Sequence, residues 1–204
     1  ILYALESEIL FILFEAIREH RAIEIEVSSP KRDNIGKYKV FPIKIYVSTQ
    51  GGRQYLMAYH YRFKRAIFYR LDSINKISIK QTEEEYEKYY DLAEKFKKNL
   101  WGVSIGRDYN LDHIEMTLFV GDDERYILNR LNREKRYGDV LEIDKNNYKF
   151  VADVYDAMEM MPWIRTFIGR IAKLECSNQV VVDTFYSDLE KMKKMYGGGG
   201  DAVQ

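Results

Sequence analysis

The residues best suited to chemistry lie in one stretch, QYLMAYHYRFKRAIFYRLD, from Gln54 to Asp72. It carries His60, Arg62, Lys64, Arg65 and Arg70 and meets no acid until Asp72, while Tyr55, Tyr59, Tyr61 and Tyr69 lie among the cations. Guanidinium groups fork onto phosphate oxygens, and ammonium groups attract them as point charges. Flat rings stack on bases, at about 1–3 kcal/mol per base. A cationic groove and stacking rings are what a protein needs to hold a single nucleic-acid strand without reading its sequence. Arg70 is the leading candidate, because it stands between Tyr69 and Leu71 in an otherwise apolar strand where a cation without an anionic partner is costly. A salt bridge to a neighbouring acid is the competing explanation. His60 reads either as a hydrogen-bond donor lining the groove or as a satisfied histidine beneath the sheet. Arg53 and Lys44 extend the basic set. Strand alternation places His60 and Arg62 on one face and Tyr55, Met57 and Tyr59 on the other, so Tyr55 and Tyr59 fit the core as well as a contact surface.

The charge around this stretch is segregated, although the chain as a whole has a formal net charge of zero. From Val27 to Leu71 there are ten basic residues against one acid, Asp33. Directly afterwards, Glu83 to Lys95 carries six acids and two lysines. Such segregation predicts a basic face for an anionic partner; solvated strand edges, where Lys opposes aggregation, are the plainer reading.

Other chemistries find little support. Cys176 stands alone, which rules out an internal disulfide and fits a small, inert side chain in a reducing, cytoplasmic setting. His20, His60 and His113 have no metal-ligand spacing, and neither a phosphate-cradling glycine loop nor a Ser-His-Asp signature is present. No catalytic residue, metal or cofactor is assigned, and the chain reads as a non-enzyme. No apolar run reaches the roughly 20 residues of a membrane helix. The opening ILYALESEILFILFEAI is interrupted by Glu6, Glu8 and Glu15 and lacks the basic start of a signal peptide. Because the chain starts at Ile1 without Met, it reads as a fragment of a longer protein.

The elements that must position these residues follow from periodicity. Leu5, Ile9, Ile12, Leu13 and Ile17 recur at helical spacing, predicting an N-terminal helix within residues 1–20. Residues 21–81 then give five short strands: AIEIEV, Tyr38–Ser48, RQYLMAYHY, AIFYRLDSI and KISIK. SSPKRDNIGK reads as a turn-rich loop, and TQGG as a hairpin turn. Short strands with tight loops predict a closed barrel of the SH3-like or Sm-like kind. Glu83–Leu100 reads as a charged helix, with residues 82–110 connecting to a second domain at WGVSIGRDYN. Over 111–196 the order strand-helix-strand-strand-helix-strand and a closing helix predicts the split β-α-β layout of ferredoxin-like domains, with Pro162 ending or kinking the helix it interrupts. Residues 197–204 read as a flexible tail. The expected class is α+β.

In this arrangement the chain resembles the WYL-domain proteins of bacteria, with their C-terminal extension (WCX) domain, over residues 8–196. The family's aromatic-Tyr-Leu triplet looks like Gln54-Tyr55-Leu56, its Ala-Tyr pair like Ala58-Tyr59, and its later Arg-Leu-Asp like Tyr69-Arg70-Leu71-Asp72. Pro42 matches the proline preceding that hairpin, and DVYDAMEMMPWIRTFIGRIAKLEC resembles the extension, with Trp163 and Gly169. The triplet departs from the family at Gln54, where an aromatic is usual, which removes a stacking ring. The resemblance implies the ligand-sensing, dimerising part of a DNA-binding transcription regulator. Its implied partners are single-stranded DNA or RNA, and some relatives are RNA-binding CRISPR accessory proteins. With one helix before the barrel, operator reading is not expected from these residues. A small anionic ligand, or a protein-docking and dimerisation surface, are the other readings of the same basic face. In the extension, Arg130, Arg133, Lys135 and Arg136 either cover the ligand or form a solvated helix end. Met158, Met160, Met161 and Trp163 serve either a homodimer interface or the core.

Overall fold

The computed structural model describes residues 7–29, 32–48, 52–106 and 108–197. Leu5, Lys31, Thr49–Gly51, Arg107 and residues 198–204 of the tail lie outside them. The chain divides into two units, Ile1–Lys98 and Asn99–Gln204.

In the first unit, helix α1 (Ser7–Arg18) turns Ile9, Leu13 and Ala16 inward at the helical period. Beyond its end at Arg18, His20 has a φ of 52° where the chain turns into the first strand, and its ring stacks on Tyr86 at 3.6 Å. Strands β1 (Arg21–Ser29), β2 (Arg32–Val47), β3 (Gln54–His60), β4 (Arg65–Arg70) and β5 (Ile74–Thr82) follow, with a 3-10 turn at Leu71–Ser73. They form one antiparallel sheet in the order β4-β3-β2-β1-β5. The closed barrel expected from the sequence is not seen: among the described residues, edge strands β4 and β5 do not pair with each other. The segment read as a loop is also largely strand, because β1 and β2 stay paired through Val27↔Gly36 and Ser28↔Ile35. Ser28 and Gly36, turn formers by type, are held in that ladder instead of breaking it. Pro42, which has no N–H for the ladder, sits at a register shift between Pro42 and Lys44 that leaves Ile43 as the extra residue.

Both faces of this sheet are covered. On one, Ile9, Leu13 and Ala16 meet Ile23, Ile25, Val40, Leu56, Ala58, Tyr69, Leu71 and Ile74. On the other, Phe41 and Tyr59 pack 4.8 and 4.6 Å from Tyr89 of helix α2 (Glu87–Lys97), which is shorter than the charged helix read from the sequence.

The second unit contains β6 (Leu111–Phe119), α3 (Arg125–Glu134), β7 (Asp139–Glu142), β8 (Asn147–Tyr155), α4 (Met161–Arg165), β9 (Ile171–Cys176) and α5 (Gln179–Tyr196). Its antiparallel sheet runs β7-β8-β6-β9. Ile114, Met116 and Leu118 of β6 and Phe150, Ala152 and Val154 of β8 alternate into a core with Trp101, Trp163, Phe167 and Phe185. Pro162 does not kink a long helix. A 3-10 turn (Ala157–Met160) precedes α4, and Pro162 falls in the first turn of α4, where its missing N–H has no partner to lose. Gly138 is required at its position: φ is +92°, and a Cβ would stand 2.6 Å from the Val151 carbonyl oxygen. Met160, Met161 and Trp163 are buried in this core and Met158 packs against it, so these side chains serve packing.

Because α1 closes one face of the first sheet, Leu13→Ala should cost about 2–5 kcal/mol. Phe11→Ala, at a side chain 70% exposed, should cost less than about 0.5 kcal/mol. Urea unfolding of the two variants checks the contrast.

Candidate nucleic-acid interface

The hairpin β3–β4 carries most of the candidate residues, and its register decides where each one lies. Tyr55 faces Arg70 at one end, and His60 faces Arg65 at the other. Between them Leu56, Met57 and Ala58 are fully buried. Five residues of strand separate Tyr55 from His60 by about 17 Å. Their side chains also leave opposite faces of the sheet. The candidates therefore gather at two ends of the hairpin and do not share one groove.

At the first end, Arg70 has a carboxylate from its own chain. Its Nε donates to Asp72 Oδ1 at 2.9 Å and its Nη2 to Asp72 Oδ2 at 2.5 Å. Ser73 Oγ lies 3.5 Å from Asp72 Oδ1. The Arg70 bond is the main reason the Asp72 carboxyl titrates below the usual carboxylate range, and Arg53 adds attraction from further off. A guanidinium has five N–H donors, so this side-on grip leaves about three on its outer end. Across the sheet from Tyr55 stands Tyr46, whose ring meets Phe68 edge-on at 5.3 Å. Exposed Lys44 holds its Nζ 5.9 Å from the Tyr46 ring centre. Burial raises the Tyr46 phenol above its ordinary pKa, with a smaller push from Glu94.

At the second end His60 is 1% exposed. Its Nδ1 accepts the Phe63 backbone N–H at 3.3 Å, which puts the proton of the neutral ring on Nε2. That Nε2 is buried without a hydrogen-bond partner. Burial first, and then Arg62, lower the His60 pKa, so the ring is neutral at pH 7. Arg62 and Lys64 are exposed in the turn beyond the strand, so Arg62 does not share a strand face with His60 as alternation implied.

Pairing across strands removes part of the charge excess counted along the chain. Glu24 of β1 holds Lys37 at 3.1 Å and Lys80 at 3.2 Å, and Lys37 is the leading cause of its lowered pKa. Lys39 lies 5.4 Å from the Tyr61 ring centre, and Tyr61 Oη donates to Glu83 at 2.5 Å. Among the described residues Arg53, Arg62 and Lys64 form no ion pair. In the second unit the four basic residues singled out in and after α3 are tied locally. Arg130 bonds Glu134 at 2.9 Å, Arg133 lies 3.5 Å from it, Lys135 bonds the Gly138 carbonyl, and Arg136 bonds the Trp101 carbonyl.

Sequence reasoning passed over Phe63, although an aromatic among Arg62, Lys64 and Arg65 was a usable signal. It also left out Glu24, whose role depends on strand neighbours far away in sequence. Among the described residues no three His, Cys, Asp or Glu side chains are grouped to hold a metal ion. His113 lies 2.8 Å from Asp153 and 3.4 Å from Glu115, and the Asp153 bond is the main cause of its raised pKa. Burial raises the Cys176 thiol pKa, which keeps it a thiol.

Residues 8–79 match the WYL domain family, so the first unit contains a WYL domain. Over 93% of the chain the fold is similar to a crystal structure described as a CRISPR Cas-related protein, at 14% identity and a TM-score of 0.58, covering 51% of that chain. Proteasome accessory factor B/C (PafBC) of Arthrobacter aurescens matches over the same share at 13% identity and a TM-score of 0.41, covering 27% of its chain. The present chain thus spans about a half and a quarter of the lengths of these two proteins. No curated protein matches the sequence.

The two histidines give opposite pH dependences. His60 has a lowered folded pKa, so its contribution is fully present above the ordinary value of about 6.5 and is lost as pH falls from there through the folded value. His113 has a raised folded pKa, so its contribution is present below about 6.5 and is lost as pH rises through the folded value. Thermal melts across this range should show His60→Gln losing the acid-side decline and His113→Gln losing the opposing gain.

Proposed function

We propose that this chain is a ligand-sensing regulatory module that binds single-stranded nucleic acid on the β3–β4 hairpin. The carrying observation is Arg70: Asp72 fixes it side-on, so its outer N–H groups are pre-oriented beside Tyr55 without costing the order of a free side chain. Arg53, Arg62 and Lys64 add exposed positive charge at the two ends, and Arg65 and Lys44 flank them. These groups attract phosphates but offer no base-edge code, which fits sequence-tolerant binding. The site holds no nucleophile with an adjacent base, so the reading is of a binding module.

The match to the WYL domain supports a regulatory role, and the strand order of the second unit supports the ferredoxin-like layout of the family's extension. The order β4-β3-β2-β1-β5 supports an SH3-like succession of strands in the first sheet, without closure between β4 and β5. A homodimer in the cytoplasm belongs to the same reading; no described helix is long and apolar enough to cross a membrane.

Fluorescence anisotropy with labelled single-stranded DNA and RNA of 12 nucleotides tests the proposal. Four phosphate contacts, at about 0.7 each in the salt slope, predict an affinity loss of about 50-fold between 50 and 200 mM salt. Arg70→Ala should weaken binding about ten- to hundredfold, the range for a charge-assisted contact, and lower the slope by about 0.7. Salt-independent binding of a mononucleotide with no binding of either strand contradicts the proposal.

A further inference from the structure

Phe63 is 54% exposed at the tip of the β3–β4 turn, and a single exposed phenylalanine is ordinary on a protein surface. This one is held in place. Its backbone N–H is fixed on His60 Nδ1 at 3.3 Å, and its ring lies 4.2 Å from the His60 ring at a tilt of 32°. The His60 ring in turn lies 5.3 Å from Tyr38, and Tyr38 lies 6.2 Å from Tyr69 in the core. A chain of rings therefore runs from the hydrophobic core to the tip, with Phe63 as its solvent end. Arg62 places its guanidinium carbon 6.0 Å from the Phe63 ring centre. Lys64, directly after it, adopts φ 51°, a left-handed backbone that costs an L residue of its kind free energy. His60 is held buried with its Nε2 unpartnered, a second cost in the same few residues. Folding gains little in exchange, because Phe63 remains more than half exposed.

We propose that Phe63 is a base-stacking platform, flanked by Arg62 and Lys64 for the adjoining phosphates, with His60 as the buried group that positions the ring. This rests on the reading that the hairpin binds single-stranded nucleic acid, and it names the part of the ligand that one end of the hairpin recognises. The tip contributes base contact, while the Arg70 end contributes phosphate contact. A ligand with the same phosphates and no bases engages only the second.

The test compares oligo(dT) of 12 nucleotides with an abasic 12-mer of the same backbone, using the whole chain. Wild type should bind oligo(dT) about 5- to 150-fold more tightly than the abasic strand, the equivalent of one stacked base. Phe63→Ala should lose that preference, leaving abasic affinity and the salt slope unchanged. Arg62→Ala should instead lower the slope. Phe63→Trp should keep the preference, and its exposed indole should be quenched on saturation, whereas the native Trp101 and Trp163 are buried. Equal oligo(dT) affinity for wild type and Phe63→Ala, or an unquenched Phe63→Trp, overturns the inference while leaving the hairpin as a phosphate site. Absence of binding by wild type to either strand overturns the functional reading, and this inference with it.

Discussion

The coverage of β3 on both faces is the constraint from which the rest of the first unit follows. Leu56 and Ala58 face α1, while Met57 and Tyr59 face the side closed by α2, and the strand has no middle position where a cation could meet water. Burying an ionised side chain there without a partner would cost several kcal/mol. Positive charge is consequently displaced to the two ends of the hairpin. One end ends up with Arg53, Tyr55 and Arg70, and the other with Arg62, Phe63 and Lys64 around a neutral His60.

The two ends solve the problem of a polar group held against the sheet differently. Arg70 stays charged because Asp72, two residues on, neutralises it and satisfies two of its donors. His60 stays uncharged because burial outweighs everything else acting on it. An ion pair that is partly solvated contributes little to stability by itself, so the value of the Arg70–Asp72 pair lies in fixed orientation. The neutral histidine likewise fixes the turn through one accepted N–H. In both cases a local interaction sets the direction of a group that meets the ligand in the proposed function.

Much of this architecture was legible in the sequence, and the misreadings have physical causes. AIEIEV and the run from Tyr38 to Val47 show the alternation of half-buried strands, and the Ile9–Leu13–Ile17 spacing shows the helix over the sheet. The loop at SSPKRDNIGK was misread because turn-forming residues in a long hairpin are indistinguishable, locally, from a loop; only the β1–β2 register shows that they stay paired. Barrel closure depends on how edge strands meet in space, which no window of sequence contains. The same holds for charge. The excess between Val27 and Leu71 is real along the chain, but Glu24 and Asp72 lie just outside that window and neutralise part of it. Pro162 was placed correctly as a helix punctuator, yet whether it breaks or begins a helix depends on the 3-10 turn before it.

The most direct test of the account is a two-dimensional NMR titration of the labelled chain with oligo(dT), following backbone amides and arginine Nε–H groups together. The account predicts the largest shifts at Arg53, Tyr55 and Arg70 and at Arg62, Phe63 and Lys64, with Leu56, Met57 and Ala58 between them nearly still. Shifts confined to the second unit, or centred on the buried middle of β3, would contradict it.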